Sequence, residues 1–256
     1  MKEVPGLRVL DRILRALLDS RATAPTAHGP QVKASMKPTA KPRVKICCIA
    51  SHTEAWMAIE LGASAIGLVS AMPSGPGPIA EELIAEIAAV VPPGVASFLL
   101  TCKQDVASII DQQKRLRVNT IQICDRLVDG SYLSLRASLP GVSLVQVIHV
   151  TGPESVEEAQ AIAPHVDAIL LDSGNQSLRV KELGGTGRTH EWRLSRIIRD
   201  TIDVPLFLAG GLKADNVQEA IRTVEPFGVD VCSGVRTDGQ LDRNKLLDFF
   251  DAINTI

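Results

Sequence analysis

The stretch PHVDAILLD, residues 164–172, passes from the end of an amphipathic segment straight into a short apolar run closed by an acid. LGASAIGLV at 61–69 and PFGVDVCSG at 226–234 repeat that form, which is the mark of a recurring βα unit. The same alternation extends in both directions. Apolar runs stand at residues 44 (VKICC), 65 (AIGLV), 96 (ASFLL), 120 (TIQIC), 143 (SLVQVI), 168 (AILLD), 205 (PLFLA) and 229 (VDVCS). Amphipathic segments separate or follow them near 52–61, 79–90, 105–114, 131–138, 154–163, 190–201, 214–224 and 243–253. Runs that are apolar throughout suit strands covered on both faces, as in parallel sheets. Eight such units over residues 43–256 predict an α/β fold, a TIM (β/α)8 barrel, with the doubly wound sheet as the alternative.

Upstream of the barrel, residues 4–19 (VPGLRVLDRILRALLD) read as an amphipathic helix with Leu7, Leu10, Leu14 and Leu17 on one stripe. A mitochondrial presequence would resemble it, but Glu3, Asp11 and Asp19 are unusual in one. From residue 20 the composition turns to Ala, Thr, Pro and Lys, too poor in apolar surface to offset the entropy of ordering. The expected organisation is a helical extension over 1–19, a flexible linker over 20–42, and the barrel over 43–256. Residues 1–42 are expected to be dispensable for catalysis.

Bulk properties narrow the function. With 45% hydrophobic and 22% charged residues the chain has ample material for a core. A net charge of −2 and 3% aromatic content provide neither the field nor the stacking platforms of a nucleic-acid binder. No apolar run is long enough to span a bilayer. Five cysteines, none spaced as CxxC, fit a reducing, cytoplasmic setting with neither a disulfide framework nor a zinc site. His28, His52 and His165 form no ligand cluster, so no metal is expected.

In a TIM barrel the active site lies at the C-terminal ends of the strands. The polar residues there are Cys47 or Cys48, Cys124 and Asp125, His149, Asp172 and Ser173, Gly210 and Gly211, and Asp230 and Ser233. Along the first strand Cys47 shares a face with Lys45, whereas Cys48 shares the other with Val44 and Ile46. A thiol beside a cation and near a helix N-terminus is favoured as a thiolate. Asp172 ends an otherwise apolar run, so its carboxylate must be hydrogen-bonded, paired or functional. AGGL at 209–212 and SGV at 233–235 fall after strands seven and eight, where such barrels bind phosphate.

From residue 44 to about residue 253 the chain resembles the phosphoribosylanthranilate isomerase family. The resemblance rests on VKIC at 44–47, LLDSGNQSLRVKELGGTGRTHEW at 170–192, PLFLAGGLKADNVQEAI at 205–221 and GVDVCSGV at 228–235. It implies an Amadori rearrangement of an N-phosphoribosyl aniline to its 1-deoxyribulose form, with no cofactor or metal. It further implies Cys47 as general base and Asp172 as general acid. Substrate phosphate would be held by Gly185, Gly187, Gly210, Gly211, Ser233 and Gly234, with Asp230 and Lys45 at the substrate. Four positions depart from the family. The loop SAMPSGPGPI at 70–79 lacks the usual arginine for the anthranilate carboxylate, Cys124 stands for a histidine, His149 for an arginine and Arg236 for a glutamate. Cys48, where the family has glycine, is expected to be a packing residue, and Arg236 or His149 are candidates to replace the missing cation. Besides the isomerase, two readings stay open: a paralogue acting on another phosphosugar amine, and a non-catalytic phosphosugar-binding barrel. The expected partner in each case is a small phosphosugar, and the oligomeric state is not legible.

Overall fold

The computed structural model describes residues 41–185 and 187–255; the expected helical extension and nearly all of the linker lie outside them. Eight parallel strands close into a barrel in simple chain order. They are β1 (Arg43–Ile46), β2 (Ala65–Val69), β3 (Ala96–Thr101), β4 (Thr120–Ile123), β5 (Ser143–His149), β6 (Ala168–Asp172), β7 (Leu206–Leu208) and β8 (Gly228–Val231). Eight helices follow them in turn: α1 (His52–Glu60), α2 (Glu81–Val90), α3 (Val106–Leu116), α4 (Tyr132–Ser138), α5 (Glu154–Ile162), α6 (Trp192–Thr201), α7 (Val217–Val224) and α8 (Arg243–Asn254). Between β8 and α8 lies a small antiparallel hairpin of β9 (Arg236–Thr237) and β10 (Gln240–Leu241). The barrel expectation therefore holds, and the doubly wound alternative does not.

Local signals explain where the helices begin. Ser51 caps α1 by accepting from Glu54 N–H, and the Glu54 carboxylate reaches back to Ala50 N–H. Asp105 and Asp242 cap α3 and α8 in the same way, and Ser131 with Ser134 builds a reciprocal cap on α4.

Because side chains alternate along a strand, each strand contributes to two cores. One face, with Val44, Ile46, Ile66, Leu68, Ile121, Ile169 and Val229, packs under the helices. The other, with Ala65, Val69, Phe98, Leu100, Val145, Leu170 and Phe207, fills the barrel. Phe98 and Phe207 meet edge-on with ring centres 5.9 Å apart. Lys45 belongs to the inner face of β1 and is wholly buried; its ammonium bonds Asp230 on β8 at 2.8 Å and lies 5.2 Å from the Phe98 ring centre. Strand β1 pairs with β8 in the register Lys45 to Asp230 and Ile46 to Val231, so the ion pair sits on the seam that closes the barrel.

Room for Lys45 comes from Gly67 on β2. A Cβ placed there would lie 2.9 Å from Cys47 Sγ and 3.1 Å from Lys45 Nζ. Gly67→Ala is therefore expected to lower stability by about 1–3 kcal/mol through overpacking and to displace Cys47, changing the rate at which its thiol reacts with a small alkylating reagent. Urea denaturation and the alkylation rate of Cys47 in the variant check both; wild-type values would mean that the inner layer has slack.

Candidate active site

β1 ends at Ile46, and Cys47 follows at its C-terminal tip, still tied to β8 by Cys47 N–H donating to the Val231 carbonyl at 2.8 Å. Its side chain stays on the inner face with Lys45, as alternation predicts. Burial acts to lower the Lys45 pKa, but the Asp230 charge and hydrogen bond, aided by Cys47, hold it above the ordinary lysine value. A permanent cation thus lies just beneath the cysteine.

Cys48 departs from the expected alternation. Its φ is +61°, a left-handed conformation rarely adopted by a residue with a side chain, and it turns the sulfur back toward the barrel interior. There Cys48 Sγ lies 2.7 Å from Cys232 Sγ, just beyond β8. The assignment of Cys48 to the helix-facing core fails because β1 has already ended and the two-residue period with it.

Asp172 closes β6 inside the barrel mouth, 8% exposed. One carboxylate oxygen accepts from Ser173 N–H at 2.7 Å, and Gly184 packs directly against the other. Burial is the main influence on its titration and, with the repulsion from Asp230, raises its pKa against the pull of the Ser173 N–H, His149 and Lys45. A carboxyl in this environment retains its proton to higher pH than a free aspartate, as a general acid requires.

The glycine-bearing loops after β6, β7 and β8 interlock. Gly210 and Gly211 adopt φ of +82° and +60°. A Cβ on Gly211 would lie 2.9 Å from the Gly187 carbonyl oxygen and 2.7 Å from the Arg188 carbonyl carbon, and one on Gly234 would run into the Leu212 carbonyl. Glycine at 211 and 234 is thus required for the loops to touch, as well as for close approach of an anion. Asn216 fastens the second loop, donating to the Gly211 carbonyl at 3.0 Å and accepting from Lys213 N–H at 2.9 Å. Behind Gly210 stands His190, kept neutral by burial with its pKa pushed down to about 4.

Cys47, Asp172, Asp230, Ser233 and the loop glycines at 185, 187, 210 and 211 all face one cavity at the C-terminal mouth. Gly234, Lys45, Cys124, Asp125, Ser173, Arg236 and His149 are not among the residues that line it. Arg236 is turned away, bonding Glu54 at 3.0 Å, the Cys47 carbonyl at 3.2 Å and the Cys48 carbonyl. Burial acts to raise the Glu54 pKa, but Arg236 and the Leu241 N–H hold it lowered, so this pair stays charged. His149 shares the barrel-facing side with Asp172 but is buried beneath Gly174, with Nε2 3.0 Å from the Cys124 carbonyl oxygen. Neither is placed to meet a substrate carboxylate. Lys45 touches the cavity only through Asp230.

Sequence reasoning passed over several residues of the wall. Gln122 on β4 faces the cavity with its side-chain oxygen unpaired, and it carried a signal: a polar residue in an otherwise apolar strand, the pattern that picked out Asp172. Met72, Ser74, Gly75 and Pro76 roof the cavity from the β2–α2 loop, where Ser74 Oγ donates to the Lys181 carbonyl at 2.6 Å. Among the described residues lining the cavity there is no arginine or lysine. Among the described residues no three His, Cys, Asp or Glu side chains are grouped to hold a metal, and no helix is long and apolar enough to cross a membrane.

Residues 44–252 match the family model for N-(5'phosphoribosyl)anthranilate (PRA) isomerase. The N-(5'-phosphoribosyl)anthranilate isomerase of Haloferax volcanii is 37% identical over 215 residues, which cover 83% of this chain and 93% of that protein. The crystal structure of phosphoribosyl anthranilate isomerase from Thermotoga maritima superposes with a TM-score of 0.69 at 28% identity, covering 84% of this chain and all of that one. A phosphoribosyl anthranilate isomerase in complex with reduced 1-(o-carboxyphenylamino)-1-deoxyribulose 5-phosphate superposes with a TM-score of 0.67 at 27% identity, over 84% of this chain and the whole of that one.

The raised pKa of Asp172 has a consequence for stability. A folded-state value above the unfolded one means that its contribution is fully present below the unfolded pKa of about 3.9 and is lost as pH rises through the folded value. Above that point an ionised, buried carboxylate opposes folding. Asp172→Asn should therefore melt higher than wild type at pH 8, with the gap closing toward pH 4. Thermal denaturation at the two pH values checks this, and a variant less stable at pH 8 would show that the carboxylate is held as a structural anion.

Proposed function

The chain belongs to the N-(5'-phosphoribosyl)anthranilate isomerase family, and from that premise we propose how its residues divide the chemistry. The enzyme is an isomerase of tryptophan biosynthesis, converting an N-phosphoribosyl aromatic amine to its 1-deoxyribulose 5-phosphate form. Asp172 donates a proton to the furanose ring oxygen as the C1–O bond opens, while the amine nitrogen forms the C1 iminium. That iminium acidifies the C2 proton, which Cys47 removes. Protonation of the resulting enolamine at C1 and loss of the O2 proton give the ketone. Asp230, neutralised by Lys45, keeps an acceptor at the sugar hydroxyls. The glycine loops and Ser233 offer N–H groups to the phosphate, whose binding energy from the far end of the substrate holds the reacting carbons between acid and base.

The observation that carries this reading is that a thiol and a protonatable carboxyl, three strands apart round the barrel, face the same cavity as the glycine loops. A binding protein would need neither group. Cys47→Ser and Asp172→Asn are each expected to lower kcat by about 10²–10⁴-fold with the fold intact by circular dichroism. The assay is turnover of phosphoribosylanthranilate, and near-normal kcat in either variant would remove that residue from its role.

The aromatic end of the substrate meets a cavity whose described lining holds no cation. A carboxylate held only by N–H groups and a hydroxyl forgoes a charged hydrogen bond, and steady-state kinetics are expected to show a KM above that of relatives with an arginine in the β2–α2 loop. Gly75 cannot readily host one, because its φ is +97°. Met72 is long and unbranched and lines the same wall. Met72→Arg should lower KM by about tenfold, the equivalent of one charge-assisted bond. An unchanged KM would place the carboxylate elsewhere.

A further inference from the structure

Cys48 and Cys232 stand at the rim of the cavity with sulfurs 2.7 Å apart. That is closer than two unbonded sulfurs ordinarily approach, and only slightly beyond the covalent separation of about 2.05 Å. The backbone brings them together twice over. Ile46 and Val231 are paired across the barrel seam, and each cysteine lies just beyond its strand. The left-handed conformation at Cys48 then aims its side chain at Cys232, and Arg236 locks the Cys48 carbonyl in place. Both thiols are free, and Cys232 is the more exposed of the two. We infer that Cys48 and Cys232 form a reversible dithiol–disulfide couple at the mouth of the active site, closed by exchange with a low-molecular-weight disulfide.

The exchange balances without any other reagent. Cys232, whose pKa is lowered by the Cys48 hydrogen bond and then by Arg236, attacks the external disulfide as its thiolate. One small thiolate leaves and a mixed disulfide forms on Cys232. Cys48, whose thiol is held up by the same hydrogen bond, gives its proton to the departing group as its sulfur displaces the second small thiol. Two protein thiols are oxidised and one external disulfide is reduced to two thiols. Closing the bond draws Cys48 Sγ from its position 3.6 Å from the Pro76 carbonyl oxygen, and Gly77 rests directly on Cys48 Cβ, where an added methyl would lie 2.6 Å away. The roof at residues 74–77 thereby loses its support while the turn at Ser233 is pinned. The linked form should bind the phosphosugar more weakly, raising KM.

The effect on turnover rests on the isomerase reading above; the bond does not. The full-length protein is incubated with oxidised glutathione, then acid-quenched and weighed intact, with turnover and inorganic phosphate affinity measured before and after dithiothreitol. Wild type and Cys47→Ser should lose two hydrogens in mass without a retained adduct, and Cys48→Ser and Cys232→Ser should not. Linked wild type should show a several-fold higher KM and weaker phosphate binding, both restored by dithiothreitol. No link in the wild type, a link persisting in Cys232→Ser, or a linked protein with unchanged KM and phosphate affinity would overturn the inference. A protein that links and changes phosphate affinity but never turns over phosphoribosylanthranilate would count against the isomerase reading and leave the couple standing.

Discussion

A lysine and an aspartate that have left water together hold the mouth of this barrel. Lys45 and Asp230 are both buried, 2.8 Å apart, on the two strands whose pairing closes the sheet. Desolvating two charges is costly, and removing one partner would strand the other. The pair also sets the polarity of the site. Lys45 favours the ionised form of Asp172 and Asp230 disfavours it, and the aspartate's influence is the larger. The counter-ion thus offsets the pull of a buried cation on the carboxyl across the cavity.

Most of the architecture could be read before any coordinates, because a parallel barrel needs strands apolar on both faces and places its polar exceptions at their C-terminal ends. Cys47, Asp172, Asp230 and Ser233 were visible as such exceptions, and Asp172 was plain because nothing else in AILLD is polar. What escaped was set by backbone turns and long-range partners. Nothing around Cys48 declares a left-handed residue, so its face was misjudged. Arg236 looked available to a substrate because its partner Glu54 lies 182 residues away. His149 looked like a replacement cation, and the register of β5 against β6 does set it beside Asp172 on the barrel-facing side, but its ring is held at the Cys124 carbonyl and covered by Gly174.

The two halves of the cavity are built on different physics. The phosphate side is made of loops that touch through glycines, and few substitutions there would be silent because backbone meets backbone. The opposite side is roofed by a loop held through side chains, Ser74 to the Lys181 carbonyl, Cys102 to the Ala71 carbonyl and Cys48 to the Pro76 carbonyl. Strand ends fix Cys47 and Asp172, whereas the roof above them belongs to a loop.

The clamp formed by Arg236 joins the beginning of the barrel to its end. Its guanidinium grips the carbonyls of Cys47 and Cys48 across 189 and 188 residues, and Glu54 across 182. A ribosome makes the two cysteines first and the clamp nearly last, so a nascent chain carries them unanchored through most of its synthesis. Contacts this distant in sequence form late, after shorter loops have closed. Completion of the cavity is thereby deferred to the final stage of assembly, and a chain interrupted before the β9–β10 hairpin would lack the clamp that holds the Cys47 and Cys48 carbonyls.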